Sequence, residues 1–444
     1  MKRFAGVQIG RAIGLAAAAL LAAVSPARAD RDAAMFRADA AHGGTYASRA
    51  PTLASVKWRF RTKAKIFSSP AVLDGIVYVG SGDFNVYAVR AADGALVWKF
   101  ATKGPVNSSP AIWHGLVFIA SLDGNVYGLD AASGTEKWRF KTGGERRFTA
   151  PGIHGIMPQN ERMPDPFDVF LSSPAVSGGT VYVGSGDHNV YALDAATGAL
   201  RWKFATGDVV HASPAVANGV VYVGSWDRNL YALDARTGAV VWTYTTGDDR
   251  NIYNQVGIAG SAAVIDGTVY FGCRDSFFYA LDAKTGQLRW KHDEHGSWVI
   301  ASPAVAGGTV YYTTSDERKF FALDAATGSE RFKVGYGAYA FGSPSIAGDV
   351  AYFGTFDGRL YGVDVRNGRI VARFATDASR RNLPAYSDAS GNLDLQKIYA
   401  DPTLDGVIVG LSKVYSLGSI AGTPAIAGGV LFVGSTDGTL YAIR

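Results

Sequence analysis

The sequence predicts an all-β protein, an eight-bladed β-propeller built from four-stranded antiparallel blades. Three observations predict it: a repeat of about forty residues that occurs eight times, four strand-like segments in each full repeat, and a spare strand near the N-terminus that matches a missing one at the C-terminus. A four-stranded unit leaves both faces bare, so it must pack against neighbours. Radial repetition of such units is the propeller architecture.

One complete repeat reads S-S-P-A-V-S-G-G-T-V-Y-V-G-S-G-D-H-N-V-Y-A-L-D-A-A-T-G-A-L-R-W-K-F, from Ser172 to Phe204. The four strands are predicted around S-P-A-V, V-Y-V-G-S, V-Y-A-L-D and L-R-W-K-F. A pair such as Gly178–Gly179 tolerates positive φ and favours a tight hairpin between the first two strands. The related repeats begin at Ser68, Ser108, Ala212, Gly260, Ala301, Gly342 and Gly422.

An acidic residue recurs in the turn between the second and third strands. An aspartate in a turn usually accepts a hydrogen bond from its own backbone two residues further on. We therefore interpret these residues as turn formers and not as a metal-binding array. They are Asp83, Asp123, Asp187, Asp227, Asp275, Asp316, Asp357 and Asp437.

The two ends of the repeat region predict how the ring closes. The last repeat ends at Arg444, after its third strand, and lacks a fourth strand. The segment V-K-W-R-F, Val56 to Phe60, is a fourth strand with no repeat before it. We expect it to complete the last blade, which removes an open sheet edge.

A tryptophan recurs in the fourth strand, four residues after the glycine of the preceding turn, as Gly198 precedes Trp202. A flat aromatic side chain at a fixed place in each repeat can bury a large area between adjacent blades. We expect this packing role for Trp58, Trp98, Trp138, Trp202, Trp242 and Trp290, with Phe332 and Ala372 at the two divergent positions.

The pattern A-x-D-x-x-T-G-x-x-x-W resembles the tryptophan-docking motif of the pyrroloquinoline quinone (PQQ) repeat propellers. The resemblance covers nearly all of residues 54–444. This family includes quinoprotein alcohol dehydrogenases and the BamB-like outer-membrane assembly factors, so the resemblance implies the fold and leaves two functions open.

The first expectation is a BamB-like, exported, non-catalytic binding or scaffold protein of the cell envelope. It implies a protein partner. We also expect no nucleic acid partner and a monomer, and no membrane anchor, because no cysteine follows the apolar run near the N-terminus; members resembling BamB itself are typically lipoproteins, so a soluble relative is expected. The alternative is a small quinoprotein oxidoreductase that uses PQQ and Ca²⁺ on alcohols or sugars. Many such enzymes stack the quinone on a disulfide between adjacent cysteines, which the single Cys273 cannot form.

The propeller, residues 54–444, carries three insertions, at 141–171, 245–258 and 375–420, where binding groups are expected because loops on a rigid scaffold carry function. The resemblance places the channel mouth beside four residues that precede first strands. They are candidate ligand contacts, or ordinary loop residues: Asn107, His211, Trp298 and Tyr339. Candidate calcium ligands, or simply solvated loop residues, are Asp248, Asp249, Asn251 and Asn254.

The N-terminus has the pattern of a secretory signal peptide over residues 1–29. Lys2 and Arg3 precede an apolar run, Ala12–Val24, which is followed by a small-residue cleavage site at Ala27–Ala29. We therefore expect a periplasmic or secreted protein whose residues 30–53 lead into the propeller. The formal charge of the whole chain is +5, but residues 1–29 hold four basic and no acidic side chains. The mature chain is nearly neutral, which argues against a nucleic acid partner.

Overall fold

Eight four-stranded antiparallel sheets follow one another along the chain and form an eight-bladed β-propeller. The computed structural model describes residues 33–248 and 256–444. In each blade the strands are named A to D from the channel outward. The A strands of neighbouring blades contact each other all the way round the ring, including blade 8 with blade 1. The fold class that the sequence predicts is confirmed.

The blades follow chain order. In blades 1 to 4, strands A to D are Ala71–Leu73, Ile76–Gly80, Asn85–Arg90 and Leu96–Ala101; Ala111–Trp113, Leu116–Ser121, Asn125–Asp130 and Glu136–Lys141; Ala175–Ser177, Thr180–Ser185, Asn189–Asp194 and Leu200–Ala205; Ala215–Ala217, Val220–Gly224, Asn229–Asp234 and Val240–Thr245. In blades 5 to 8 they are Ala263–Ile265, Thr268–Gly272, Phe277–Asp282 and Leu288–Asp293; Ala304–Ala306, Thr309–Thr313, Lys319–Asp324 and Glu330–Gly335; Ser345–Ala347, Val350–Gly354, Arg359–Asp364 and Ile370–Ala375; Ala425–Ala427, Val430–Gly434, Thr439–Ile443 and Val56–Arg61.

The remaining elements lie before the first blade and in the insertions. Ala33–Ala34 and Thr45–Tyr46 are short strands, and Thr149–Pro151 pairs with Arg162–Pro164 in a hairpin. The helices are α1 (Asp377–Asn382), α2 (Leu395–Ile398) and α3 (Leu404–Tyr415), with 3₁₀ turns at Ile153–Gly155 and Leu383–Ala385.

The N-terminal strand closes the ring as predicted. Val56–Arg61 pairs antiparallel with Thr439–Ile443, with Arg59 opposite Tyr441. Ser55 and Arg444 exchange backbone hydrogen bonds of 3.1 and 3.0 Å just beyond the paired strands. Blade 8 is therefore built from both ends of the chain.

Each recurring tryptophan lies between its own blade and the next one. The Trp202 indole N–H donates to the Ala235 carbonyl of blade 4 at 2.9 Å. A Cβ on Gly238 of that blade would lie 2.7 Å from the Trp202 ring, so the turn needs glycine for close approach as well as for its φ of 74°. The same indole bond, at 2.9 to 3.1 Å, is made by Trp58, Trp98, Trp138, Trp242 and Trp290.

The divergent Ala372 has a structural reason. It belongs to blade 7, and the next blade is blade 8, whose C and D strands come from opposite ends of the chain. No glycine turn joins those strands, so a tryptophan would have no turn to cover. Leu53 packs in the cluster that Ala372 adjoins.

The segment 33–53, expected only to lead into the propeller, lines the inner edges of the blades. The carbonyls of Ala40, Ala41, Gly43 and Gly44 accept hydrogen bonds from A-strand N–H groups of blades 4, 5, 6 and 7, in that order. The buried Arg37 guanidinium donates to the carbonyls of Pro303 and Pro344. Burial lowers the pKa of Arg37 to about 10, so it stays charged at neutral pH. The segment satisfies A-strand edges that would otherwise lie bare in the channel.

Candidate functional site

All three insertions join a D strand to the next A strand, so they emerge at the same end of the propeller as the B–C turns. We call this end the cap face. The first and third insertions pack on each other here. Met157 N–H donates to the Pro402 carbonyl at 2.9 Å. Val407 and Leu411 of α3 share an apolar cluster with Phe148 and Trp226.

A buried ion pair anchors the first insertion to blade 5. Arg274 Nη1 donates to Asp165 Oδ2 at 2.6 Å, and both side chains are almost fully buried. The guanidinium lies 4.6 Å from the Trp226 ring and 3.9 Å from the Trp298 ring, which gives cation–π contacts on both. His154 Nε2 lies 3.0 Å from Asp165 Oδ1. Burial disfavours the Asp165 carboxylate, but Arg274 and His154 outweigh it and hold the pKa of Asp165 below its usual range.

The pKa of the neighbouring His154 moves the other way. Burial lowers it, and Asp165 only partly opposes that shift. The His154 ring is therefore neutral at neutral pH. Arg274 and Asp165 neutralise each other, so this group adds no net charge to its surroundings.

A second buried charge cluster contains His211, one of the candidate ligand contacts. Its Nδ1 lies 2.7 Å from Asp168 Oδ1, and its Nε2 lies 3.8 Å from Glu145 Oε2. Burial favours the neutral ring, but the two carboxylates outweigh it and raise the pKa of His211 to about 10. The imidazolium joins blade 4 to the first insertion, so this contact stabilises the cap.

The central channel contains a small cavity, the channel cavity, of about 50 Å³. Asn107 and His211 line it, with Phe36 from the N-terminal segment and Phe170 from the first insertion. A water molecule occupies about 30 Å³ in the liquid, so this space holds very few waters. A ring of hydroxyls surrounds it, one from each blade: Ser69, Ser109, Ser173, Ser213, Ser261, Ser302, Ser343 and Thr423.

Backbone N–H groups link this ring to the neighbouring blades. The Ser173 N–H donates to Ser213 Oγ at 2.9 Å, and the Ser213 N–H donates to Ser261 Oγ at 2.8 Å. The equivalent bond, from a backbone N–H of one blade to the hydroxyl of the next, joins each consecutive pair of blades from blade 1 to blade 7. It also joins blade 8 to blade 1, where the Thr423 N–H donates to Ser69 Oγ. The recurring serine before proline is thus part of the architecture.

A larger cavity, the cap cavity, lies where the first and third insertions meet blades 6 and 7. Its volume is about 420 Å³, within the usual range for small-molecule sites. Two of the candidate contacts, Trp298 and Tyr339, line it. Asn107 and His211 do not, so the four candidates divide between two cavities. Asn107 instead donates to the Val169 carbonyl at 2.7 Å.

Aromatic side chains and two carboxylates dominate the lining of the cap cavity. Phe167 and Tyr399 come from the two insertions, and the Tyr339 and Tyr399 hydroxyls are hydrogen bonded at 2.8 Å. Asp316 and Asp401 contribute the charges, and the part of the lining that the structure describes contains no lysine or arginine. The Asp316 side chain is exposed to solvent, but desolvation by the surrounding cavity wall raises its pKa, and hydrogen bonds from the Ser315 hydroxyl and the Trp298 N–H only partly oppose that shift.

Asp316 departs from the other turn aspartates. In the other seven repeats the aspartate directly precedes a residue with positive φ, as Asp187 precedes His188. Its carboxylate accepts the predicted hydrogen bond from the backbone N–H of the residue two positions further on. In blade 6 the residue before the positive-φ Arg318 is Glu317. Asp316 therefore sits one position earlier, and it lines the cap cavity. The interpretation as a turn former is wrong for this residue alone.

The position before the turn acid carries a signal that the sequence interpretation missed. It holds large or charged residues in four consecutive blades: Trp226, Arg274, Asp316 and Phe356. All four reach the cap face, where Trp226 stacks on Phe148 at 4.3 Å and Phe356 lies 4.5 Å from the Tyr339 ring. Departures from the repeat at one position thus mark the side of the ring that carries the cap.

Of the calcium candidates, Asp248 is partly exposed and its carboxylate lies 3.8 Å from Arg228. Asp249, Asn251 and Asn254 fall outside the described residues. Within residues 33–248 and 256–444, no group of three His, Cys, Asp or Glu side chains is arranged to hold a metal ion.

Comparison with known families identifies the chain. The family model described as outer membrane protein assembly factor BamB, a PQQ-repeat model, matches residues 50–155, 158–294 and 280–444. The chain belongs to this BamB family of PQQ-repeat propellers. No curated protein matches the chain significantly. In the described part of the chain, no helix is long and apolar enough to cross a membrane.

Solved structures of the same fold include both kinds of relative. BamB from Moraxella catarrhalis is 18% identical, with a TM-score of 0.63 over 88% of this chain and 97% of that one. A europium-containing methanol dehydrogenase is 16% identical, with a TM-score of 0.66 over 91% of each chain. The quinohemoprotein alcohol dehydrogenase from Comamonas testosteroni is 16% identical, with a TM-score of 0.64 over 94% of this chain and 81% of that one. At these identities the likeness shows the fold alone.

Neither cavity of this family member suits PQQ. The channel cavity, about 50 Å³, is too small for a tricyclic quinone. The cap cavity is large enough, but PQQ is a polycarboxylate and would face Asp316 and Asp401 with no lysine or arginine among the described residues of the lining. Like charges at close range in a partly desolvated site are repulsive. The residues present therefore do not form a complementary PQQ site.

Proposed function

We propose that the chain is an exported, non-catalytic binding scaffold of the cell envelope that docks a protein partner on its cap face. One observation carries this proposal. The side of α3 that faces away from the propeller exposes Ile408 by 47% and Val409 by 54%. Met157, which is 47% exposed, lies beside the start of this helix because its N–H bonds to Pro402. Apolar side chains grouped on a rigid surface are typical of protein interaction sites.

A groove beside α3 extends this apolar surface. It has a volume of about 250 Å³ and is lined by Leu404, Ile408, Leu411 and Tyr415 together with residues of the first insertion. Lys65 and Arg147 also line it. An apolar floor with basic side chains favours a partner segment that combines apolar and acidic residues. The family description points to a protein of outer-membrane assembly as the partner, and the pattern of residues 1–29 supports export.

The alternative, a PQQ- and Ca²⁺-dependent oxidoreductase, receives less support for two reasons. The described lining of the cap cavity offers no lysine or arginine to the carboxylates of PQQ, and no group of three His, Cys, Asp or Glu side chains among the described residues is arranged to hold a metal ion. Both functions can be tested with the same purified protein. Titration with PQQ and Ca²⁺ in a calorimeter should give no saturable heat. Saturation near one cofactor per chain would overturn the non-catalytic proposal.

The partner surface can be tested by site-specific photocrosslinking in cells. A photoreactive residue at Ile408 should give one discrete adduct with an envelope protein. The matched control is Val371, which is equally apolar and 55% exposed but lies on the outer strand of blade 7. Equal adducts at both positions, or none at Ile408, would reject docking through α3.

A further inference from the structure

We propose that the cap cavity binds a small organic cation, an ammonium or quaternary ammonium compound. This inference does not depend on the proposed scaffold function, because the cavity lies beside the exposed surface of α3 and is lined by different side chains. Five kinds of observation lead to it: the size of the cavity, its aromatic lining, its charge, an unpartnered polar group and the displacement of Asp316.

The aromatic lining suits a cation. Trp298, Phe167 and Tyr399 follow one another along the wall, with ring centroids 6.2 and 6.3 Å apart, and Tyr339 and Phe341 continue the lining. Aromatic faces attract ammonium groups within about 6 Å of the ring centroid. Trp298 already holds the Arg274 guanidinium in this way, at 3.9 Å, which shows that its ring is placed for cation contacts.

The charges around the cavity leave a negative potential. Asp316 and Asp401 contribute carboxylates, and the nearest buried cation, Arg274, is neutralised by Asp165. The lining imidazole of His154 is neutral because burial lowers its pKa. A cation that enters would find a carboxylate without a protein counterion in the Asp316 side chain, and aromatic faces at the same time.

A buried polar group also lacks a partner here. The Trp298 indole Nε1 has no hydrogen-bond partner among the described residues, although the side chain is only 8% exposed. Indole N–H groups of buried tryptophans usually find an acceptor, and a missing one is costly. The six tryptophans between blades all have such an acceptor. Because the Nε1 atom itself is buried, a ligand oxygen would reach it only after a small shift of the ring.

The shifted turn of blade 6 explains why the Asp316 carboxylate faces the cap cavity instead of holding its own turn. Glu317 occupies the position of the turn acid, directly before the positive-φ residue. Phe321 replaces the tyrosine that bonds the turn aspartate in six other blades, as Tyr191 bonds Asp187 at 2.5 Å. Asp316 therefore lacks the turn and tyrosine bonds that hold its counterparts. Its carboxylate interacts with the Ser315 hydroxyl and the Trp298 backbone N–H, and it remains exposed to a ligand in the cavity.

The experiment measures binding of two cations and their neutral counterparts to the purified protein by isothermal titration calorimetry. Choline is compared with 3,3-dimethylbutan-1-ol, and butylammonium with butan-1-ol. Each pair has the same shape and differs in charge. We expect at least one cation to bind at one site per chain, about tenfold or more tighter than its neutral counterpart.

Two variants locate the site. Asp316→Asn keeps the shape of the side chain and should weaken the bound cation about tenfold, while leaving the neutral compound unchanged. Asp74→Asn, on an exposed A–B turn at the opposite end of the propeller, is the control and should change the dissociation constant by less than about twofold. If Asp316→Asn fails to fold, the comparison of charged and neutral probes on the unaltered protein still decides the question. Absence of saturable cation binding up to about 10 mM, equal affinity for the neutral counterparts, or equal effects of the two variants would overturn the proposal.

Discussion

The wall of the propeller and its cap face use the same residue types in different ways. Trp202 in the wall donates its indole N–H to Ala235 and covers Gly238, whereas the indole N–H of Trp298 under the cap has no acceptor in the described part of the chain. Asp187 in the wall accepts from Asn189 and Tyr191, whereas Asp316 lines a cavity. These two wall side chains form hydrogen bonds within their own repeat or with the next one. Under the cap such polar groups are left for other segments or for a ligand.

The comparison shows where function is to be sought in a repeat protein. A residue that occurs in every blade forms the ring, because each blade needs the same contacts with its neighbours. A residue that departs from the repeat is free of those contacts. Trp226, Arg274, Asp316 and Phe356 depart at one position in consecutive blades, and the cap lies above them.

The largest effect should come from breaking the ion pair under the cap. Asp165→Asn leaves the Arg274 guanidinium buried without a counterion, which should cost about 3–5 kcal/mol of unfolding free energy. Thermal or denaturant unfolding measures the loss. The control is Asp93→Asn in the exposed pair with Arg90, where a much smaller loss is expected because solvent screens the pair. Similar losses of unfolding free energy in both variants would mean that the buried ion pair under the cap stabilises the protein no more than an exposed pair does.

The glycine turns of the wall allow a matched test of tryptophan packing. Gly238 and Gly219 have φ of 74° and 76°, so alanine is strained at either position. Only at Gly238 would the new Cβ meet a ring, 2.7 Å from Trp202, since nothing lies within 4 Å at Gly219. We expect Gly219→Ala to cost about 1 kcal/mol and Gly238→Ala about 3 kcal/mol in denaturant unfolding. Equal costs would argue against tight docking of the tryptophan.

The contact of His211 with the first insertion should depend on pH. Its folded-state pKa of about 10 lies above the ordinary value of about 6.5, so its contribution is complete below pH 6.5 and is lost as pH rises towards 10. The native protein should lose about 2 kcal/mol more between pH 7 and pH 9 than the His211→Gln variant does. Unfolding free energies at both pH values test this. Parallel pH profiles of the two proteins would show that the ring is not protonated in the folded state.

The smallest effect is expected at Asp316. The side chain is exposed, and the amide oxygen of asparagine can still accept from Ser315 and the Trp298 N–H, so Asp316→Asn should change the unfolding free energy by less than about 0.5 kcal/mol. Asp187→Asn is the wall counterpart and should cost about 1–2 kcal/mol, because an amide nitrogen would face the Gly143 N–H or the Tyr191 hydroxyl. A large loss at Asp316 would place it among the structural aspartates.

Much of the fold could be predicted from the sequence because its causes are local and repeated. Each A–B turn carries residues that tolerate positive φ, and the central strands of each blade are apolar because they are buried between two sheets. The pairing of the strands around Val56 and Leu440 at the two ends of the chain could also be predicted, because each repeat needs one strand of each type. Periodicity identified the tryptophans, and the ring interruption at blade 8 accounts for Ala372.

The candidate site could be predicted only in part. Trp298 and Tyr339 do line a cavity of ligand size, but Asn107 and His211 lie around a channel too narrow for a cofactor. The contacts that create the cap cavity join segments far apart in the chain, such as Asp165 with Arg274 and Met157 with Pro402. No periodic pattern connects such pairs, so the sequence offered no signal for them beyond single departures from the repeat.

The sequence by itself determined the number of blades, the manner of closure and the residues that join one blade to the next, because these follow from short-range patterns that recur eight times. Only the tertiary structure decided what happens at the two ends of the channel. There, residues 33–53 satisfy the free inner edges of the blades, and the first and third insertions bury each other's apolar side chains above the ring. Each of these segments occurs once, and its contacts are set by packing against distant residues rather than by a repeated local rule.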